Sequence, residues 1–115
     1  MIMTEPDDGL RRSGWHRTPD AVFERLAGQL WSRRKGPEIE YALLSEPRHD
    51  NGSGVVHGGV LALLADHALG LRLRAEPGWS RQATIQLEVS YLAAVRPGDF
   101  IKVRTEILRN TRQLA

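Results

Sequence analysis

The segment from Asn51 to Asp66 combines residue types and spacings that could carry chemistry. It is a polar, glycine-rich loop followed by an apolar run, and His57-Gly58-Gly59 stands where the two meet. Glycines at a helix start let a ligand approach backbone N–H groups that have no intrahelical partner, where the helix dipole favours negative charge. Asp66 lies inside the apolar run, where a carboxylate is costly to bury unless it is paired or used. The pattern indicates a site that stabilises a developing oxyanion and supplies a carboxylate base or nucleophile.

The apolar run predicts a helix from Gly58 to about Leu73 that is apolar on most faces. Such a helix is buried on most faces, so we expect it to be central, wrapped by a sheet or shared with another subunit. Gly58 and Asp66 are eight residues apart, which is about 12 Å along a helix axis. The two groups are therefore too far apart to reach one carbonyl carbon from the same helix.

The N-terminal part of the chain predicts a lead-in followed by a helix. Residues 1–17 are polar without a sustained period, and we expect a flexible lead-in there. Thr18 can cap a helix whose first residue is Pro19. Helical spacing of apolar residues continues this helix to Arg33–Lys35, where basic charges suit a C-terminus and Gly36-Pro37 follows.

Alternating apolar residues predict three strands. The first covers residues 39–43, and a longer one covers residues 83–91. A tight turn at Arg96-Pro97-Gly98-Asp99 then returns the chain into an antiparallel strand over residues 101–107. The order of elements predicts an α+β domain over residues 18–115, with an antiparallel sheet wrapped around a central buried helix.

Composition limits the possible partners and locations. The chain has 115 residues, 16 basic and 14 acidic side chains, and no cysteine, so thiolate chemistry and Cys-based metal sites are excluded. The arginines are scattered rather than clustered with aromatics, so we expect no nucleic acid partner. No segment approaches the roughly 18 apolar residues that span a bilayer, and the acidic N-terminus does not look like a secretory signal. We therefore expect a cytoplasmic protein that does not bind a membrane.

Asn51, His57-Gly58-Gly59 and Asp66, followed by a hairpin from Tyr91 to Asp99, resemble the hotdog-fold acyl-CoA thioesterase superfamily. Within it, the residues are similar to the PaaI-like, phenylacetate-degradation type, loosely over residues 20–115. The resemblance implies hydrolysis of a small aryl or medium-chain acyl-CoA thioester without a metal or cofactor. Family members continue with two further strands beyond the point matching Ala115, so we expect the chain to be truncated at its C-terminus.

The resemblance also implies a homodimer, with pairing of two dimers into a tetramer left open. The two central helices would lie side by side, so that the Gly58 amide of one chain faces Asp66 of the other. Gly58 is then the oxyanion donor and Asp66 the base or nucleophile. Asn51 would hold the thioester or the attacking water, and Thr84 would hold the water.

The remaining site residues have structural interpretations beside the functional ones. We expect His57 and Gly59 to orient the loop and the substrate, although the glycines also suit a tight loop. Asn51 could simply form a turn, Thr84 is common on the polar side of a strand, and Asp66 could pair with His67 or an arginine. His49 and His67 are interpreted as ordinary polar positions. The spacing of His49, Asp50 and His57 matches no metal motif in common use. The three tryptophans are interpreted as packing residues (Trp15, Trp31, Trp79).

Two other functions remain open at this point. A hotdog dehydratase or hydratase acts on similar thioesters but uses a histidine and an acid in another arrangement, whereas Asp66 and His67 are adjacent here. A non-catalytic acyl-CoA-binding module would keep the fold without turnover, because one scaffold can host many functions.

Overall fold

Four antiparallel strands and one long helix form the part of the chain that is described in a computed structural model, residues 6–75 and 95–104. The elements in chain order are α1 (Pro6–Arg12), β1 (His16–Thr18), α2 (Ala21–Leu26), β2 (Leu30–Lys35), β3 (Glu38–Leu44), a 3-10 turn (Pro47–His49), α3 (Gly58–Arg74) and β4 (Phe100–Val103). The strands are hydrogen-bonded in the order β1-β2-β3-β4. The predicted α+β class is confirmed, and the predicted strand over residues 83–91 lies outside the described residues.

The bounds of helix α3 agree closely with the prediction from the apolar run, but its predicted burial on most faces is not seen within one copy of the chain, where only Leu64 and Ala68 of α3 are buried. It begins at Gly58, with His57 as N-cap, and ends at Arg74, with Arg72 and Arg74 in a last turn where positive charge complements the helix dipole. Leu64 and Ala68, one turn apart, are fully buried against the sheet. They belong to a core that joins α2, α3 and the inner face of the strands (Phe23, Ala27, Leu30, Tyr41, Leu43, Leu64, Ala68).

The other face of the sheet carries a second, smaller core. Trp15, Trp31 and Ala42 are buried there, with Leu10 of α1 and Phe100 of β4 packed against them. The Trp15 and Phe100 rings meet edge to face with centroids 4.9 Å apart. Strands β2 and β3 are therefore covered on both faces, and Trp15 and Trp31 are packing residues, as predicted.

The predicted flexible lead-in over residues 1–17 differs from the structure in its described part. Residues 6–17 contain α1 and most of β1, and Trp15 is only 3% exposed. The Arg33 guanidinium lies over the Trp15 ring, 4.5 Å from its centroid, which adds a cation–π contact. This packing holds the segment against the sheet, which local sequence polarity does not reveal.

The predicted helix from Thr18 to Lys35 is wrong over most of its length. The N-cap is Asp20, whose carboxylate accepts the Phe23 N–H at 3.0 Å, and α2 ends at Leu26. Residues 30–35 form β2, which pairs with β3 across the two-residue turn Gly36-Pro37. Burial of the neighbouring β2 residues Leu30 and Trp31 in the two separate cores outweighs the local helical spacing.

The predicted turn at residues 96–99 is confirmed. Gly98 has a φ of 101°, the Asp99 N–H donates to the Arg96 carbonyl at 3.0 Å, and the Asp99 carboxylate accepts the Arg96 N–H at 2.9 Å. The Ser45 hydroxyl, buried at the end of β3, donates to the Asp99 carbonyl at 2.8 Å and so fixes the turn on the sheet. Among the described residues, no helix has the length and apolar character required to cross a bilayer.

Candidate functional site

A short, self-bonded loop precedes α3. Asp50 and Val56 form an isolated antiparallel bridge, and inside it the Asn51 N–H donates to the Val55 carbonyl at 2.9 Å. Gly52 and Gly54 both have positive φ, and both donate their N–H to the Asp50 carboxylate, at 2.6 and 3.2 Å. These bonds close the loop upon itself, so its position relative to the core depends on the residues at its two ends.

Two backbone hydrogen bonds attach the end of this loop to the rest of the chain. The Val56 N–H donates to the Val95 carbonyl at 2.5 Å, just before the turn that leads into β4. The His57 N–H donates to the His49 carbonyl at 2.8 Å. The residues immediately before α3 are therefore held from both the sheet side and the 3-10 turn.

His57 organises the first turn of α3. Its Nδ1 accepts the Gly59 N–H at 2.8 Å, and its carbonyl accepts the Val60 N–H at 2.9 Å. A Cβ on Gly59 would lie only 3.0 Å from His57 Nδ1, so a glycine there lets the ring fold back over the helix start. This agrees with an orienting role for His57 and Gly59, while their contact with a substrate stays a prediction.

Asp66 lies on the side of α3 opposite the core. Because successive residues in an α-helix turn by about 100°, Asp66 projects roughly half a turn away from the buried pair Leu64 and Ala68. Gly58, at the first position of the same helix, is about 12 Å away along the axis, as expected from the sequence. Within one copy of the chain, the Gly58 amide and the Asp66 carboxylate therefore lie at different positions along the axis of α3.

Of the two polar side chains predicted to assist at the site, Asn51 and Thr84, only Asn51 lies in the described part of the chain. The Asn51 side chain is exposed, and its Oδ1 accepts the Ser53 N–H at 2.8 Å, which is the turn-forming role weighed above. Asn51 lies at the start of the closed loop and Gly58 follows its end. A contact of Asn51 with a ligand stays a prediction. Thr84 lies outside the described residues.

His67, interpreted above as an ordinary polar position, instead joins two helices. Its Nε2 donates to Asp20 Oδ2 at 2.6 Å, and its ring lies 5.0 Å from the Phe23 ring. Partial burial raises the pKa of the Asp20 carboxyl, but the hydrogen bonds from His67 and the Phe23 N–H together hold it below its ordinary value. Sequence reasoning missed this pair because its members are 47 residues apart.

His49 is also not an ordinary polar position, because it is buried and fully hydrogen-bonded. Its Nδ1 accepts the Glu46 N–H at 2.8 Å, and its Nε2 lies 2.6 Å from the Ala27 carbonyl at the end of α2. The sequence did not indicate this burial, because a histidine in a loop rich in turn formers is usually exposed. In the described part of the chain, no three acidic or histidine side chains group as metal ligands.

Comparison with known proteins places this geometry in a family. The family profile of the Thioesterase superfamily matches residues 53–115, which include the start of α3 and Asp66. Acyl-coenzyme A thioesterase 13 of Homo sapiens is 24% identical over 114 residues, covering 98% of this chain and 81% of that protein. A candidate esterase of Pseudomonas aeruginosa is 30% identical over 93 residues, covering 78% of this chain and 69% of that protein.

A shorter match has a higher sequence identity. A candidate esterase of Halobacterium salinarum is 48% identical over 56 residues, which are 46% of this chain and 36% of that protein. The family match covers more than half of the chain and agrees with the antiparallel sheet and long helix described above. The chain therefore belongs to the thioesterase superfamily, as a hotdog-type thioester hydrolase domain.

Proposed function

We propose that the protein is an acyl-CoA thioesterase of the PaaI-like type that hydrolyses a small aryl or medium-chain acyl-CoA. Membership of the thioesterase superfamily and similarity to acyl-coenzyme A thioesterase 13 support the substrate class. The observation that carries the proposal is the arrangement of α3, with Gly58 at its first position and Asp66 on the side away from the core. These two groups are what thioester hydrolysis requires of a protein: an oxyanion donor and a carboxylate.

The proposed site lies between two copies of the chain. The side of α3 that carries Asp66 has residues with small side chains at three of its turns (Gly59, Ala62, Gly70), and Leu69 and Leu73 lie on the same side towards its C-terminal end. Small residues let two helix backbones approach closely, so a second α3 can pack there. Antiparallel packing of the two helices brings Gly58 of one copy near Asp66 of the other, which removes the separation of about 12 Å within one helix. Pairing of two such dimers stays open.

In the proposed reaction, the Gly58 N–H of one copy donates to the thioester carbonyl oxygen. Asp66 of the other copy removes a proton from water, the resulting hydroxide attacks the carbonyl carbon, and a tetrahedral oxyanion forms. Collapse of this intermediate breaks the C–S bond, and the coenzyme thiolate takes up the proton. Direct attack by the Asp66 carboxylate is the other route, through an acyl–aspartyl anhydride that water then hydrolyses. Asn51 is proposed to hold the thioester or the water, and Thr84 to hold the water.

The experiment is a hydrolysis assay on a panel of acyl-CoAs, with the released thiol detected by a chromogenic reagent. Asp66→Asn keeps the side-chain volume but removes the base, so kcat should fall by about 10²–10⁴-fold. Glu24→Gln, which makes the same chemical change on the exposed face of α2, is the matched control and should keep wild-type kcat. Full activity of Asp66→Asn on a good substrate would remove Asp66 from the proposed mechanism.

The same samples separate the two other functions. Addition of water to an enoyl-CoA without thiol release would identify a hydratase. Saturable binding of an acyl-CoA without any turnover, in a protein of confirmed mass, would identify a binding module. Either result contradicts the proposed hydrolysis.

A further inference from the structure

We propose that His49 is a positioning residue of this site, one that fixes the start of α3 on α2 through a neutral ring with its proton on Nε2. The inference rests on the proposed function, since it assigns to His49 the placement of the Gly58 amide. His49 itself stands nine residues before Gly58 and is not a catalytic residue. It acts through the backbone that it holds.

The hydrogen bonds of His49 determine the protonation pattern of its ring. Nδ1 faces the Glu46 N–H at 2.8 Å and must therefore be the acceptor, without a proton. Nε2 faces the Ala27 carbonyl at 2.6 Å and must therefore be a donor, with a proton. Both ring nitrogens are used, and only one neutral tautomer satisfies them.

The ring connects the 3-10 turn to the C-terminal end of α2. Ala27 is the C-cap of α2 and is only 1% exposed, so the ring of His49 is attached to a buried residue. Gly28 follows with a φ of 126°, and a Cβ there would lie 2.5 Å from the Glu46 carboxylate. The close approach of the turn to α2 is thus built into the backbone as well as into the His49 side chain.

The same residue connects the turn to α3. The His49 carbonyl accepts the His57 N–H at 2.8 Å, and His57 in turn caps α3 with its ring on the Gly59 N–H. One path from α2 to the first residue of α3 therefore runs through the side chain and then the carbonyl of His49. If the side chain is removed, the carbonyl loses its fixed direction, and the Gly58 amide moves relative to the thioester.

Two substitutions separate the two ring contacts. In His49→Gln, the side-chain amide nitrogen can take the place of Nε2 and still donate to Ala27. In His49→Asn, the shorter amide oxygen can take the place of Nδ1 and still accept from Glu46, but the side chain at position 49 no longer reaches the Ala27 carbonyl. Arg48→Ala is the matched control, because Arg48 also donates to the Ala27 carbonyl, at 2.9 Å, but its side chain is half exposed and its removal deletes neither ring contact of His49.

The first measurement is steady-state hydrolysis of the best acyl-CoA, well below the melting temperature of every variant. His49→Ala and His49→Asn should lower kcat by about 10²-fold with little change in KM, because a displacement of about 1 Å at a reacting group costs this much. His49→Gln should recover most of kcat, and Arg48→Ala should keep it. Wild-type kcat in His49→Ala, or better recovery by Asn than by Gln, would overturn the proposal.

The second measurement does not depend on activity. Amide hydrogen exchange of His57 should become at least about 10-fold faster in His49→Ala and His49→Asn but not in Arg48→Ala, while exchange at Ala68 in the core stays the same. Unchanged exchange at His57 would overturn the proposal even if kcat falls. If wild-type protein hydrolyses no acyl-CoA, the proposed function fails, and the exchange rates alone decide whether His49 holds the start of α3.

Discussion

His67 Nε2 lies 2.6 Å from Asp20 Oδ2, and this contact joins the N-cap of α2 to the middle of α3. Asp20 uses its other carboxylate oxygen to accept the Phe23 N–H. One carboxylate therefore both starts α2 and attaches it to the helix that carries Asp66, one residue before His67. The stability of the domain should depend on this side chain more than on any charge at the exposed surface of α2.

The first prediction concerns the stability that Asp20 contributes. Asp20→Ala removes the N-cap and the contact with His67, and should lower the free energy of unfolding by about 1–2 kcal/mol. Asp20→Asn keeps a good N-cap but removes the charge, so it should lose less. Urea unfolding at neutral pH measures both, with Glu24→Gln as the control. Equal stability of Asp20→Ala and wild type would show that the contact does not contribute.

The second prediction follows from the lowered pKa of Asp20. Because the folded-state pKa lies below the ordinary value of 3.8, the carboxylate stabilises the fold above that value, and the contribution is lost as the pH falls through the folded-state pKa. The difference in unfolding free energy between wild type and Asp20→Asn should therefore be largest near neutral pH and shrink in acid. A difference that grows towards low pH would contradict this assignment.

The third prediction concerns the Arg33–Glu40 ion pair on the second face of the sheet. Glu40 is 5% exposed, and two Arg33 nitrogens donate to its Oε1 at 2.7 and 3.1 Å, which holds the pKa of the carboxyl below its usual value. Arg33→Met leaves this carboxylate buried without its partner and should cost about 3 kcal/mol. The double variant Arg33→Met, Glu40→Met should recover most of that loss, since it buries no charge. Failure to recover would mean that Arg33 acts mainly through Trp15.

The fourth prediction removes the proposed oxyanion donor without a change in charge. Gly58→Pro deletes the N–H at the first helical position, where proline is well tolerated, and the backbone of His57 (φ −57°, ψ 133°) suits a following proline. We expect kcat to fall by about 10²–10³-fold with helix content unchanged by circular dichroism. Gly58→Ala keeps the N–H and should lose far less activity. Equal kcat in the two variants would contradict the role of this amide.

Parts of the fold could be predicted because local pattern and tertiary environment agree there. The apolar run from Gly58 has helical length and a glycine start, and it is α3. The alternation around Tyr41 is β3, and Pro97-Gly98 forms the turn that its residue types favour. In each case, one short segment contains the whole signal.

Strand β2 and the N-terminal segment could not be predicted, because their structure depends on distant residues. Trp31 packs with Trp15 and Ala42, whereas its neighbour Leu30 packs on the opposite face. Burial on both faces removes the alternation that marks a strand, and the apolar spacing that remains is compatible with a helix. The cover supplied by α1 becomes visible only when the sheet is assembled.

The residues proposed to act in the candidate site could be selected from the sequence, but the residues that hold the surrounding backbone could not. Gly58 and Asp66 could be singled out by residue type, spacing and family resemblance. The buried ring of His49 and the His67–Asp20 contact could not, because their partners Ala27 and Asp20 are distant in sequence. Residues that hold a site in place thus carry weaker sequence signals than those proposed to act in it.

The central claim is that the Gly58 amide and the Asp66 carboxylate that act on one thioester come from different chains. Co-expression of Gly58→Pro and Asp66→Asn, each inactive alone, tests this directly by the hydrolysis rate of the mixed protein. In a two-fold symmetric dimer, every mixed dimer regains one intact site, so about a quarter of wild-type activity should return. Mixed dimers, confirmed by mass, that show no more activity than either variant alone would contradict the account.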